Sequence, residues 1–378
     1  VRIVLVGTAY PLRGGIAHYI ALLYQTLTRR GHEVFVLSFK RQYPKLFFPG
    51  KTQKDEGKEL VPVRAFPLLD SVNPFSWIRS FFWLKSIRPH VVCFKYWMPF
   101  FAPCYTALVI GLKYFLHVPT IFICDNIVPH EKKIGDAWLT RWVLRFPDFF
   151  IVQSETVRSD LLQFRPHANP VKIPHPLYTI FPPLIKKEEA RNRLGISSRI
   201  PLLLFFGYIR PYKGLQCLIE ALPEIRKFVP VQLLVAGEFY EEKKETLALI
   251  EKLGLKEAII LHDQFIENEK VADYFCAADL VVLPYRSATQ SGIVQIAYYY
   301  EKPVVATSVG GLPEVIRPGK TGYLVPPENP KALAHAIIQF FTKDRNVPFA
   351  RWIRQEREMY SWDCMAEAIE KMAGVHHV

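Results

Sequence analysis

Three short stretches hold side chains able to bind an anionic group or to take up a proton. The loop Gly207–Gly214, GYIRPYKG, sets Arg210 and Lys213 three residues apart, bracketed by Gly207 and Gly214. A guanidinium offers a planar fork of donors and an ammonium a point charge, so the two together can clamp a diphosphate. Such a pair can equally be an ordinary solvated patch. The loop Arg286–Gly292 ends in Thr289, Gln290, Ser291 and Gly292, directly before an apolar run at helical spacing. Backbone N–H groups and a hydroxyl at a helix start stabilise phosphate; the plainer reading is that Ser291 caps the helix. The third stretch, CDNIVPHE, carries Asp125, Asn126, His130 and Glu131. Asp125 or His130 could take a proton, with Asn126 and Glu131 as polar groups beside them. Alternatively Asp125 and Asn126 cap a turn and His130 lies on the surface.

Each stretch needs a strand before it. Leu280–Leu283, Leu202–Phe206 and Thr120–Cys124 are short, continuous apolar runs of the kind buried in parallel sheets. Arg2–Val6 is a further strand, followed by a loop ending in Gly14-Gly15 and a helix over Ile16–Arg30 that Gly31 stops. Strands over Glu33–Phe39, His90–Phe94 and Phe149–Gln153 complete the first half. Arg41–Asp70 reads as a long insertion loop, and Pro74–Pro89 as an aromatic amphipathic helix with Trp77 and Trp83. The proline-dense run Lys172–Pro183 marks a linker. Beyond it the same alternation recurs: strands at Val231–Ala236, Ala258–Leu261 and Pro303–Thr307, and helices at Leu215–Lys227, Glu241–Leu253, Glu269–Ala277, Lys331–Thr342 and the tail from Trp352 to Met372. The pattern predicts two α/β, doubly wound, Rossmann-like domains, with ligands at the carboxyl ends of their strands. The expected division is 1–173, a linker at 174–184, a second domain at 185–355, and a C-terminal helix at 356–378 crossing back to the first.

The chain has 378 residues, half of them hydrophobic, enough for two full cores. Its net charge of +13 points to an anionic partner: a nucleotide, a nucleic acid or an acidic membrane surface. No nucleic-acid module is recognisable, so that partner class is set aside. Cysteines 93, 104, 124, 217, 276 and 364 are scattered without a CxxC pair, which suits reduced structural thiols and a cytoplasmic setting, with no zinc site. The chain opens on a strand with no leader pattern. Met98–Leu116 is its most apolar stretch, but prolines 99 and 103 and Lys113 interrupt it, and it reads as a buried helix.

Taken together, Gly14-Gly15 after the first strand, GYIRPYKG, and YEKPVVATSVGGLPEVIRPGKTGYLVPPENP near the end resemble the family-four glycosyltransferases of the GT-B fold. The likeness runs over nearly the whole chain, and Lys302–Pro330 is its most specific part. It implies two domains facing a cleft and retaining transfer of a sugar from a nucleotide-diphosphate donor. The donor would be held mainly by the second domain, with acceptor contacts from the first. Lys213 matches the family's diphosphate lysine. Tyr208 stands where the family has arginine, and Arg210 is the candidate replacement. Two family glutamates fall on Ala288 and Ile296, so their contacts to sugar and ribose must differ here. The family's active-site histidine falls on Asp125.

Cleavage of a sugar–phosphate bond leaves a diphosphate of growing negative charge, which needs cations and amide donors. Arg210, Lys213 and the Ser291-Gly292 helix start supply these, with Gly14, Gly15, Gly207, Thr289 and Gln290 as further donor-binding positions. In retaining transfer the donor phosphate can itself accept the acceptor's proton. No Asp-x-Asp occurs, so no metal bridge and no cofactor are expected. The expected function is a glycosyltransferase using a UDP- or GDP-sugar and a saccharide or lipid-linked acceptor in surface polysaccharide or glycolipid synthesis. An anionic membrane surface is a further expected partner, through the basic balance, the insertion loop Arg41–Lys58 and the Trp77–Trp83 stripe. Two other classes compete. A Rossmann oxidoreductase lacks its GxGxxG and ribose acid here, and a catalytically silent nucleotide-sugar-binding or scaffold protein would explain the absent glutamates.

Overall fold

The computed structural model describes residues 1–44, 53–55, 59–129, 133–197, 199–344 and 346–374. Of the insertion loop Arg41–Lys58, residues 45–52 and 56–58 lie outside the described residues. The chain divides into two compact units, Val1–Ile180 with Tyr360–Val378, and Phe181–Met359. Each is built on a parallel sheet with helices as crossovers. The first sheet contains β1 (Arg2–Val6), β2 (Glu33–Arg41), β3 (Ala65–Asp70), β4 (Val91–Tyr96), β5 (Thr120–Cys124), β6 (Phe149–Val152) and β7 (Val171–Lys172), in the order β3-β2-β1-β4-β5-β6-β7. The second contains β8 (Leu202–Phe206), β9 (Gln232–Ala236), β10 (Ile259–His262), β11 (Leu280–Leu283), β12 (Val304–Thr307) and β13 (Gly322–Val325), in the order β10-β9-β8-β11-β12-β13. In both, strand order reverses beside the unit's first strand: at β1/β4 and at β8/β11. A parallel sheet opens a crevice at that point, past the carboxyl ends of its strands.

The strands are apolar throughout because helices cover both faces. Val4 pairs with Phe35 on one side and Val92 on the other, all buried, and Leu204 pairs with Leu234 and Val281 in the same way. A buried charge breaks the pattern. Lys95 lies within β4, opposite Ile123 of β5, and is fully buried.

The structure departs from the sequence expectation in several elements. The run over Arg41–Asp70 is not all loop, since its last six residues form β3 at the sheet edge. Pro67 sits inside that strand, which an edge tolerates because one side of its backbone has no partner to serve. By contrast the buried helix expected over Met98–Leu116 is present: Pro99–Leu116 is long and apolar enough to cross a membrane by length and composition, yet Phe101, Cys104, Tyr105, Leu108 and Leu112 are sealed in the first core. It forms an α-helix over Ala102–Gly111 that loosens into a π turn at Leu112–Leu116. The helices Asp136–Val143 and Lys187–Arg193 and the strand β13 have no counterpart in the expected pattern. The sequence 174–180, expected in the linker, packs into the first unit, and the return to that unit comes at Tyr360 instead of 356. The final helix, Trp362–Met372, is fixed there by Trp362 Nε1 donating to the Leu177 carbonyl at 2.7 Å and by Arg30 clamping the buried Glu370 through two 2.8 Å bonds.

Candidate functional site

In the second unit, the loops after β8 and β11 leave the sheet at its switch point and meet. Gly207 ends β8 at φ +95°, a conformation side chains rarely adopt, and a Cβ there would lie 3.0 Å from Lys213 Nζ and 3.4 Å from Ile293 Cδ1. The lysine ammonium is therefore held beside the first turn of the helix Gly292–Tyr299. Gly214, at φ +68°, seals the other end of the loop, because a Cβ would collide with the Pro284 carbonyl. The Arg286 amide donates to the Tyr212 carbonyl at 2.7 Å and ties the two loops together.

Lys213, which a solvated patch would have left in water, is buried, at 9% exposure. Burial pushes its ammonium down to about 7, and the Arg210 guanidinium adds to the fall. No carboxylate pairs with it among the described residues; its Nζ lies 5.9 Å from the centre of the Tyr285 ring. Arg210 is half-buried, its guanidinium 4.7 Å above the Tyr240 ring, and Tyr208 packs on Tyr240 at 4.7 Å. Ser291 occupies the N-cap position, yet its hydroxyl makes no capping bond and lies 3.4 Å from the Tyr285 hydroxyl. The plain capping role is thus not the one its side chain takes. Thr289 is buried and its carbonyl accepts from the Gly311 amide at 3.0 Å; Gln290 and Gly292 are half-buried on the same turn. Arg210, Lys213, Thr289, Gln290, Ser291 and Gly292 thus share one end of one sheet. Tyr285, Tyr240 and the buried Glu238 belong to that surface too, and the sequence pattern offered no signal for them beyond their place just after strands.

The first unit has its own polar group at its own switch point. Asp125 follows β5 and is 8% exposed, with Oδ1 accepting from Lys95 Nζ at 2.6 Å. Lys95 Nζ also sits 3.2 Å from the centre of the Tyr19 ring. Burial lowers the Lys95 pKa, and Asp125 works against that shift. Tyr19 accepts from Gln153 Nε2 at 2.9 Å and packs edge-on against His175 at 5.3 Å. Burial holds His175 down to about 3, with the Lys95 charge acting the same way. Gly14 and Gly15 begin the helix Gly15–Arg29, and the Tyr178 hydroxyl donates to the Gly15 carbonyl at 3.1 Å. Asn126 Nδ2 donates to the Trp97 carbonyl at 3.4 Å. His130 and Glu131 lie outside the described residues. Lys95 was missed, although one lysine inside the apolar run VVCFKYW was the available signal.

Residues 14–175 match a family model described as a glycosyl transferase 4-like domain, and residues 200–343 one described as glycosyl transferases group 1. One match falls in each unit. The chain belongs to the group 1 glycosyltransferases. Among relatives of this glycosyltransferase are D-inositol 3-phosphate glycosyltransferases of Streptomyces scabiei and Corynebacterium urealyticum. The first is 28% identical over 65% of this chain and 56% of its own length, the second 31% identical over 49% and 45%. The chain thus spans about half the length of these curated relatives. Solved structures of like fold include sucrose-phosphate synthase from Thermosynechococcus elongatus, at TM-score 0.75, 19% identity and 98% of both chains. Anabaena HepE in complex with UDP matches at TM-score 0.73, 16% identity and all of both chains. The GT-B expectation of two parallel-sheet, Rossmann-like halves is met over the whole of this chain. Ala288 and Ile296, on which the family's glutamates would fall, are both buried apolar side chains here.

Proposed function

We propose that this glycosyltransferase moves a sugar from a nucleoside-diphosphate donor to an acceptor hydroxyl with retention at the anomeric carbon. The observation that carries the proposal is Lys213. A buried ammonium with no carboxylate partner is costly to keep charged. It is worth keeping where an arriving anion restores that charge, and Arg210, Ser291 and the Gly292 helix start stand around it. As the sugar–phosphate bond breaks, charge grows on the diphosphate, and donors already in place stabilise it without reorganising. In the first unit Asp125, fixed by Lys95, orients the acceptor hydroxyl, while the leaving phosphate oxygen takes its proton.

UDP-glucose is the first donor to try, since HepE has been solved with it, and D-inositol 3-phosphate the first acceptor, from the relatives' names. The test is thermal stabilisation by a panel of UDP-, GDP- and ADP-sugars, then NMR of the product's anomeric configuration. Stabilisation by one nucleotide series with an axial product supports the reading; an equatorial product from an axial donor removes retention. Tight donor binding with neither transfer nor hydrolysis would favour the second reading, a silent donor-binding protein. The apolar Ala288 and Ile296 are its motivation.

A further inference from the structure

Away from both polar groups, one face of the first unit combines exposed aromatic rings with cations. The helix Pro74–Ile87 turns Leu84 into the core and rests Trp77, Phe81 and Trp83 against it. The tryptophans expected as anchors are thus half-buried: Trp77 Nε1 donates to the Asp70 carbonyl, and Trp83 packs on Phe66 at 4.8 Å. The side chains left in solvent are Phe75, Ile78 and Phe82, at 82%, 54% and 59% exposure. Positions 75, 78 and 82 stack along one helix face. Phe81 fits over Gly111 of the neighbouring helix and meets Phe115 edge-on at 6.2 Å. Phe115 itself is 73% exposed, so the apolar strip continues from one element to the next. Single exposed rings are ordinary; a contiguous strip is not.

The charge on this face selects its partner. Arg79 and Lys85 are exposed among the rings, with Arg88 just beyond. From residue 71 to residue 124 the chain has no Asp or Glu at all. Two copies meeting through this face would bring cation against cation, within a chain already at +13. An anionic bilayer satisfies both components, rings at the acyl boundary and cations at the headgroup phosphates. We propose that this face docks on an anionic lipid bilayer, with Phe75, Ile78, Phe82 and Phe115 entering the interface while Arg79 and Lys85 pair with headgroups. The docking is independent of sugar transfer and needs no donor.

The experiment is co-sedimentation of the full chain, without nucleotide, with phosphatidylcholine vesicles and with mixed phosphatidylcholine–phosphatidylglycerol vesicles. Binding to the mixed vesicles should be about tenfold stronger or more, and should weaken as salt rises. The pair Phe75→Ser and Phe82→Ser should lower binding to both vesicles by a similar factor. Arg79→Gln with Lys85→Gln should remove only the preference for anionic lipid. Phe228→Ser, at a 62% exposed ring in the second unit, should change nothing. All these positions are exposed, and melting curves check that folding is intact. Equal partitioning onto both vesicles, or wild-type binding by the Phe75/Phe82 pair, would overturn the proposal. So would a dimer in sedimentation equilibrium that Phe82→Ser dissolves while no vesicle binds.

Discussion

At Lys213 burial and a neighbouring guanidinium act in the same direction, leaving the amine near half-charged at neutral pH, about 7. A bound diphosphate must raise that value, so between about 7 and the higher value of the complex, binding takes up a proton. UDP affinity should therefore fall as pH rises above about 7, by up to about tenfold per unit. Calorimetry at pH 8 in two buffers of different ionisation enthalpy should show net proton uptake. Lys213→Met should abolish that uptake and cost about ten- to a hundredfold in affinity, the range for one lost charge-assisted contact. The same variant should leave the melting temperature unchanged or raise it. The folded value lies below the unfolded one, so the stability cost is full below about pH 7 and fades as pH climbs toward 10.5. A uniform loss of both stability and affinity would mean that Lys213 is merely structural. Asp125 needs a different design, because its removal strands a buried Lys95. Asp125→Asn alone should destabilise by about 3 kcal/mol or more, whereas Asp125→Asn with Lys95→Met should recover most of that. Turnover measured in the double variant then reports on the acceptor side, free of the folding effect.

Among elements, what the sequence showed follows from how each one buries its surface. The runs RIVLV, TIFIC, LLLFF and LVVL are covered on both faces, and such continuous apolar strings are legible without any partner in view. The glycine loops after β8 and the helix start at Gly292 were legible because backbone conformation limits residue choice there. Elements that depend on distant partners were not. β3 is an edge strand with a proline, and β13 is a four-residue strand begun by a glycine at φ +157°. KIPHPLY looked like a linker because proline excludes helix; its attachment comes from His175 and Tyr178 packing on Tyr19 and Gly15. The last helix was visible as amphipathic, but not its reliance on Glu370, which Arg30 and His32 both reach. Glu370→Ala leaves two basic groups facing a void and should cost about 3 kcal/mol, read as a fall in melting temperature. His175 adds a pH signature to the same region. Its folded value, about 3, lies below the ordinary 6.5, so the unfolded chain protonates first and stability falls as pH drops from about 6.5 toward 3. The slope approaches about 1.4 kcal/mol per unit. His175→Gln should flatten that part of the acid profile even if it lowers stability at neutral pH.

Across the whole molecule, the excess of cations bears on whether transfer depends on a divalent ion. A metal in such chemistry offsets diphosphate charge, and a protein normally holds it with carboxylates. The chain has no Asp-x-Asp, and apart from the buried Glu238 the residues gathered at the switch point of the second sheet are cationic or neutral at their tips: Arg210, Lys213, Tyr285, Ser291 and the helix start at Gly292. A nucleoside diphosphate approaching a protein of net charge +13 is attracted before contact, and meets fixed donors on arrival. Adding Mg2+ at the same place would set like charges against Arg210 and Lys213. Transfer should accordingly proceed at full rate after exhaustive EDTA treatment and be little changed by added Mg2+ or Mn2+. Raising ionic strength should instead increase KM for the donor while kcat moves less, because screening weakens the approach more than short contacts already made. The measurement is initial rate against donor concentration in chelator, in Mg2+ and in Mn2+, each at low and high salt. Loss of activity in EDTA that metal restores would show that a carboxylate, with the buried Glu238 just after β9 the first to test, brings a cation to the diphosphate.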